Sequence, residues 1–458
     1  MDTEGRTRSG SRPSLRDPKD CRLTAITTDS FRLTVEQALS LGKGQAGRRQ
    51  IRSMAAGEKW LRCGRAGARL WAEYPVANRE PIRVQFDLEN LTVCCSCSSR
   101  QRPCNHGPAL YLRWLQMPEA FQTDSPPAWL QQTAAGASPE NPTPSAKWVA
   151  VEQGLSELEL WLHDLIRAGL AGLPAKPATF WQSISHRLAD AHLVDLARSV
   201  KELAKIPGAA PDWPETLLIE LGRLHLQIQA FRQWDSLSPA VQGDLRAAVG
   251  WLDADFLAAG NSVTDRWQIV ADERRPESSQ TIQRIWLWAE GAKRPALVVR
   301  HLGAFPGRPS ATSDWLLPTG VGVAGAFMFY PATTEIRAEP AGSIHFYQPE
   351  TAIVGYTALA EALEAFRTAL TGNPWLREWP LLLHGMRAAR ISERWRLVDD
   401  AGETVPFVEG FDRGWHLRAL HGDPQTRVFG LWNGVEFQPL SIWSDGSWLQ
   451  LEALRAIK

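Results

Sequence analysis

The sequence predicts an α+β protein of several domains, with a small ββα-like module first, a helical middle domain and a mostly antiparallel β C-terminal region. Three observations carry that expectation. The 458 residues exceed what one hydrophobic core usually serves. Apolar residues repeat at helix spacing through 148–260 and change to a period of two across 261–458. A stretch rich in Pro, Ser, Ala, Thr and Gln at 118–147 reads as a linker separating these regions from a module at 23–117.

Composition narrows the function classes. Lys+Arg and Asp+Glu both number 50, hydrophobic residues make up 44% and charged residues 22%, which is ordinary for a folded chain. A histone-like coating of DNA and wholesale disorder are thereby excluded. No apolar run approaches the roughly 18 residues of a membrane span, so no membrane is expected. Residues 1–22 are polar and read as a disordered tail, and without an export signal the cytoplasm is the expected compartment. The neutral total hides an asymmetry, because residues 1–117 hold 20 Lys+Arg against 11 Asp+Glu. A basic N-terminal third on an acidic body points to a polyanion partner or to the two parts facing each other.

Along the chain, 31–41 reads as a short helix, followed by strands at 60–62, 70–74, 82–88 and 91–93. Glu89–Asn90 is a turn signal, and 109–117 is helical again. Pro126, Pro127, Pro139, Pro142 and Pro144 are expected to keep the linker free of helix. In the middle domain Leu155, Leu158, Leu162, Leu165 and Ile166 form one helical stripe, stopped by Gly169. Leu217, Leu221, Leu224, Ile228 and Phe231 form another, and Ser238–Pro239 reads as an N-cap with proline at the first helical position. Strands are expected at 282–288, 296–301, 327–330 and 395–398, with one helix at 357–370. Asn433–Gly434 and Asp445–Gly446 sit between apolar runs as hairpin turns.

Four ligand-type residues fall within twelve positions: Cys95-x-Cys97, six residues, then Cys104-x-His106. Zinc takes four soft or borderline donors in a tetrahedron, and closing a six-residue loop costs little entropy. Three thiolates and one imidazole fill the shell, so one structural zinc ion is expected, with no position open for substrate. Cys94, next along the strand, should point away from the metal and pack in the core. Cys21 and Cys63 have no partner spacing. Arg100 and Arg102 lie in the loop between the ligand pairs and Arg113 in the following helix. Together with Lys59, Arg62, Arg65 and Arg69 they form a candidate surface for a phosphate or a partner. The alternative is a solvated charged loop, and the same groups could equally face acidic patches of another protein. The 21 tryptophans are expected to build cores. His384, His421 and Asp423 have no catalytic motif around them, and Asp399–Asp400 reads as turn chemistry, so no enzyme is expected.

The ligand pattern C-x-C-x6-C-x-H resembles the SWIM zinc finger, which occurs in bacterial proteins, Mutator-type transposases, plant transcription regulators and chromatin-remodelling ATPases. The bacterial branch often reads C-S-C-P-S-R-K-F-P-C-K-H-G. Residues 95–107 here keep that frame and depart from it at Ser98, Gln101, Arg102 and Asn105. The resemblance covers about 55–117, including 70–73 and 83–88, and extends more faintly to 154–170 and 245–251. It implies that Cys95, Cys97, Cys104 and His106 hold zinc. It also implies a non-enzymatic interaction or adaptor role toward a protein such as a MoxR-type AAA ATPase or a von Willebrand factor A protein. DNA or RNA binding through the basic region is the alternative.

Overall fold

The N-terminal third folds as helices laid on a four-stranded sheet. In this computed structural model the described residues are 32–42, 44–76, 80–88, 91–97, 99, 103–121, 126–131, 144–252, 254–276, 281–302, 318–419 and 427–453. The expected tail at 1–22, Arg100, Arg102, His421 and Asp423 lie outside them. Thr34 opens α1 (Val35–Ser40) with a capping box, its hydroxyl accepting from Gln37 N while the Gln37 side chain accepts from Thr34 N. The next element, α2 (Gly44–Ala56), falls between the expected helix and the expected strands, where the sequence reading named no element. Its Gly44 and Gly47 obscure the pattern, but Ile51, Met54 and Ala55 align on one buried face. Four strands follow as an antiparallel meander: β1 (Arg62–Ala66), β2 (Arg69–Tyr74), β3 (Ile82–Asp87) and β4 (Thr92–Cys95). Helix α3 (His106–Gln116) crosses them, with Tyr111 stacked on Phe86 at 4.8 Å and its hydroxyl donating to Leu33 O.

The expected linker is structured where it is described. Short 3-10 turns at Pro118–Phe121 and Ala128–Gln131 bury Phe121 and Leu130, and Trp129 meets Trp71 edge-on at 6.3 Å. Pro144 begins the next helix instead of preventing it. At the first helical turn its missing N–H removes no hydrogen bond.

The middle is helical, as expected: α4 (Pro144–Ala168), α5 (Ala178–Asp190), α6 (Val194–Leu203), α7 (Trp213–Arg232) and α8 (Pro239–Val249), with α9 (Ala254–Ala258) leading out. Both apolar stripes meet in its core, except that Ile166 is 50% exposed. Ser238 Oγ accepts from Val241 N to cap α8, and Gly250 ends that helix at φ +79°.

The C-terminal region is mostly strands. One antiparallel sheet runs β7-β6-β5-β8-β9, from β5 (Asn261–Pro276), β6 (Thr281–Ala289), β7 (Pro295–Leu302), β8 (Gly322–Phe329) and β9 (Ala338–Tyr347). After α10 (Leu359–Gly372) come β10 (Trp379–His384), β11 (Arg387–Ile391), β12 (Arg394–Val398), β13 (Thr404–Pro406), α11 (Gly414–Ala419), β14 (Arg427–Trp432), β15 (Phe437–Ser444) and β16 (Ser447–Gln450). They form a sheet of order β10-β14-β15-β16 and a smaller one of order β11-β12-β13. The β15–β16 hairpin turns on Asp445 (φ +50°) and Gly446 (φ +74°), the left-handed pair that a two-residue turn requires. Asp399 accepts from Leu359 N and Glu403 N, so it serves α10 and a turn.

The five-stranded sheet explains how these regions are joined. Alternate residues of β6 face opposite ways, and both faces are covered. Ile285 and Leu287 pack into the same core as Leu39, Leu70 and Leu110 of the N-terminal third. Trp286 and Trp288 pack with Phe429, Trp443 and Trp448 of the second sheet. Arg274 also donates to Leu41 O at 2.9 Å, and Gln37 to Gly320 O at 3.4 Å. The N-terminal third therefore shares a core with the C-terminal sheet instead of hanging on a tether.

The helical part is stitched to the strands through α8. Asp244 accepts from Thr333 N, Thr333 Oγ1 and Asn373 Nδ2. A Cβ at neighbouring Gly243 would lie 1.8 Å from Pro331 O, backbone that cannot rotate aside. Gly243→Ala should cost about 1–3 kcal/mol in denaturant unfolding. Gly222→Ala on α7, with nothing within 4 Å, should gain up to about 1 kcal/mol. Equal effects would refute the close approach. Burial pushes the Asp244 carboxyl from 3.8 to about 6 against its hydrogen bonds from Thr333. The folded state therefore holds an extra proton between those values, and stability declines as pH rises through that window. Asp244→Asn should flatten that part of the stability profile, and an unchanged slope would contradict the assignment.

Candidate metal centre

Two ligand pairs arrive from different elements. Cys95 ends β4, opposite Val84 of β3, and the pairing continues one residue further. Ser96 N donates to Arg83 O at 3.0 Å, and Ser96 Oγ accepts from Arg83 N at 2.9 Å. This fixes the turn that carries Cys97. Cys104 is buried just before α3, and His106 is the first residue of that helix. Asn105 between them donates to Gln50 of α2 at 2.8 Å. The helix start lies directly against β4. A Cβ at Gly107 would come within 2.4 Å of Val93, a β-branched side chain with little room to turn. Glycine at 107 is thus what lets one pair approach the other.

The result is a closed cluster. The ligand atoms of Cys95, Cys97, Cys104 and His106 all lie within 4.8 Å of one another. Thiolates about 2.3 Å from a zinc ion in a tetrahedron would be about 3.8 Å apart, so the set fits one ion. His106 stands edge-on to Tyr74 at 5.2 Å, and one of its ring nitrogens joins the three sulfurs. Without a cation the sulfurs share protons. Cys95 is raised by its hydrogen bonds to Cys104 and Cys97, and Cys97 is lowered by those it accepts from Cys104 and Cys95. Burial would lower the His106 imidazole, but hydrogen bonds to Cys104 and Cys97 outweigh it and lift it to about 9. A divalent cation would replace those protons, which couples metal binding to proton release.

Other candidate residues take different places. Cys94 is not among the clustered donors, and it is exposed and not part of the core. Arg113 is turned inward, donating to Ala55 O at 3.0 Å and Gly57 O at 2.9 Å at the end of α2. Its Nη1 closes the C-terminus of that helix, so this side of the guanidinium faces the fold. Arg62 lies over Trp71, Arg65 donates to Gly67 O and lies over Trp114, and Arg69 is 3.7 Å from Asp87. Sequence reading missed Ser96, Asn105 and Gly107 as supports. The glycine directly after the fourth ligand was the one available signal. No helix among the described residues is long and apolar enough to cross a membrane.

No curated protein and no solved structure matches the chain. Residues 146–249, which run from within α4 to the end of α8, match the family model of the SWIM-associated four-helix bundle domain. That match does not involve the cysteines. The helical part of this chain is therefore similar to the domain that accompanies SWIM proteins, which supports kinship with the SWIM family.

Proposed function

We propose that this chain is a SWIM-type zinc protein with a non-enzymatic role as an interaction module or adaptor for a protein partner. One observation carries the reading: a closed four-donor cluster stands N-terminal to a helical region similar to the SWIM-associated bundle. Zinc's part is structural. It ties the end of β4 to the start of α3 and so holds strand and helix in one geometry.

A protein partner is favoured over nucleic acid by where the apolar surface lies. Arg113 is turned inward onto the carbonyls of Ala55 and Gly57, while Arg62, Arg65 and Arg69 stay exposed. Helices α4 and α7 expose Leu160, Ile166, Leu218, Ile219 and Leu226, each at least half exposed, and large exposed apolar residues mark protein contact sites. The partner class follows from the SWIM resemblance: a MoxR-type AAA ATPase or a von Willebrand factor A protein. The nine-charge excess of residues 1–117 keeps DNA or RNA as the second reading.

Elemental analysis after exhaustive dialysis should find one tightly held zinc per chain. Cys97→Ser should release it and expose 91–115 to proteolysis. Full retention in the variant would refute the ligand set. In pull-downs with purified MoxR-type ATPases and von Willebrand factor A proteins as bait, the native chain should be retained and Cys97→Ser lost. Against a mixed-sequence DNA duplex, no binding that collapses between about 50 and 200 mM salt is expected. Such binding would favour the nucleic-acid reading.

A further inference from the structure

We infer that the helical bundle carries a second metal site, separate from the cysteine cluster, formed by Glu159, His163 and His225. Glu159 and His163 are four residues apart on α4, one turn of the helix, and so share a face. His225 comes from α7, which packs against that face. The His163 and His225 rings stand 6.5 Å apart centre to centre, tilted by 45°. One donor atom from each of the three residues lies within 4.8 Å of the other two. Two imidazoles and a carboxylate form a donor set for a divalent transition ion, with zinc, copper, nickel and iron the fitting class. Calcium and magnesium, which take oxygen donors, are disfavoured.

The carboxylate is held from behind. The Glu159 side chain is only 10% exposed, and its oxygens accept from Gln229 at 3.0 Å and from Arg232. Residues 225, 229 and 232 recur at helix spacing on α7, so the helix that supplies the second imidazole also orients the carboxylate. Second-shell donors of this kind fix a ligating carboxylate and leave its remaining lone pairs for the ion. Arg232 opposes a nearby cation. Its side chain is 57% exposed, so solvent screens that repulsion and the guanidinium has room to swing outward. Both histidines are exposed, which gives an ion a direct path from solvent.

Three protein ligands leave at least one coordination position open, unlike the cysteine centre. The open position is available to water or to a donor from a docking partner. Bound metal would also clamp α4 to α7, and an ion that binds only the folded pair stabilises it. Leu160 and Leu226, next in sequence to Glu159 and His225, are among the exposed apolar residues of those helices. The site does not depend on the adaptor reading, because it rests on α4 and α7 alone.

Full-length protein with zinc retained in the cysteine centre, titrated with Co2+ and followed by absorption and calorimetry, tests the proposal. One further equivalent of Co2+ should bind per chain, with ligand-field bands and without thiolate charge-transfer absorption. His163→Ala with His225→Ala should weaken that step at least about tenfold while the helical circular dichroism and the retained zinc stay unchanged. Glu159→Gln alone should weaken it less than the histidine pair. Absence of an extra equivalent in the native protein would overturn the inference, as would an identical titration of the double variant. Cys97→Ser, which removes the other centre, should leave the Co2+ step in place, so the two assignments fail independently.

Discussion

The approach of the α3 N-terminus to the end of β4 is the constraint on which the N-terminal third depends. Three sulfurs and an imidazole nitrogen meet there because Gly107 lies against Val93 and because the β3–β4 pairing runs on to Ser96. Packing these donors together without a cation forces them to share protons, which is why Cys95 and Cys97 move in opposite directions and His106 rises. A divalent ion would resolve that competition by replacing the shared protons.

The same region is held by a second and larger device. Both faces of the five-stranded sheet are buried, one by the N-terminal helices and meander, the other by the sheet containing β14 and β15. A strand covered on both sides carries apolar residues at successive positions, as β6 does from Ile285 to Trp288. The metal centre therefore sits on a module whose base is part of the main core.

Much of this was legible in the sequence. The ligand spacing, the leucine stripes of α4 and α7, the cap at Ser238 and the Asp445–Gly446 hairpin are local signals, set by periodicity and turn chemistry within a few residues. What was not legible is non-local or masked by composition. Gly44 and Gly47 lower helix propensity and hid α2, which is held by burial of Ile51 and Met54. Arg113 reads as a free cation in sequence, but its partners lie more than fifty residues upstream. Pro144 reads as a breaker until its place in the first turn is known. The apolar run of β6 departs from the expected period of two because both faces are covered, and nothing local named the N-terminal third as one cover. Glu159 and His163 are a visible helical pair, whereas His225 joins them only through the antiparallel packing of α7.

X-ray absorption at the zinc edge of the dialysed full-length protein reads the identity and number of the atoms around the ion directly. A first shell of three sulfurs at about 2.3 Å and one nitrogen at about 2.0–2.1 Å is the predicted result. A shell made mainly of oxygen and nitrogen, or one with fewer than three sulfurs, would contradict it.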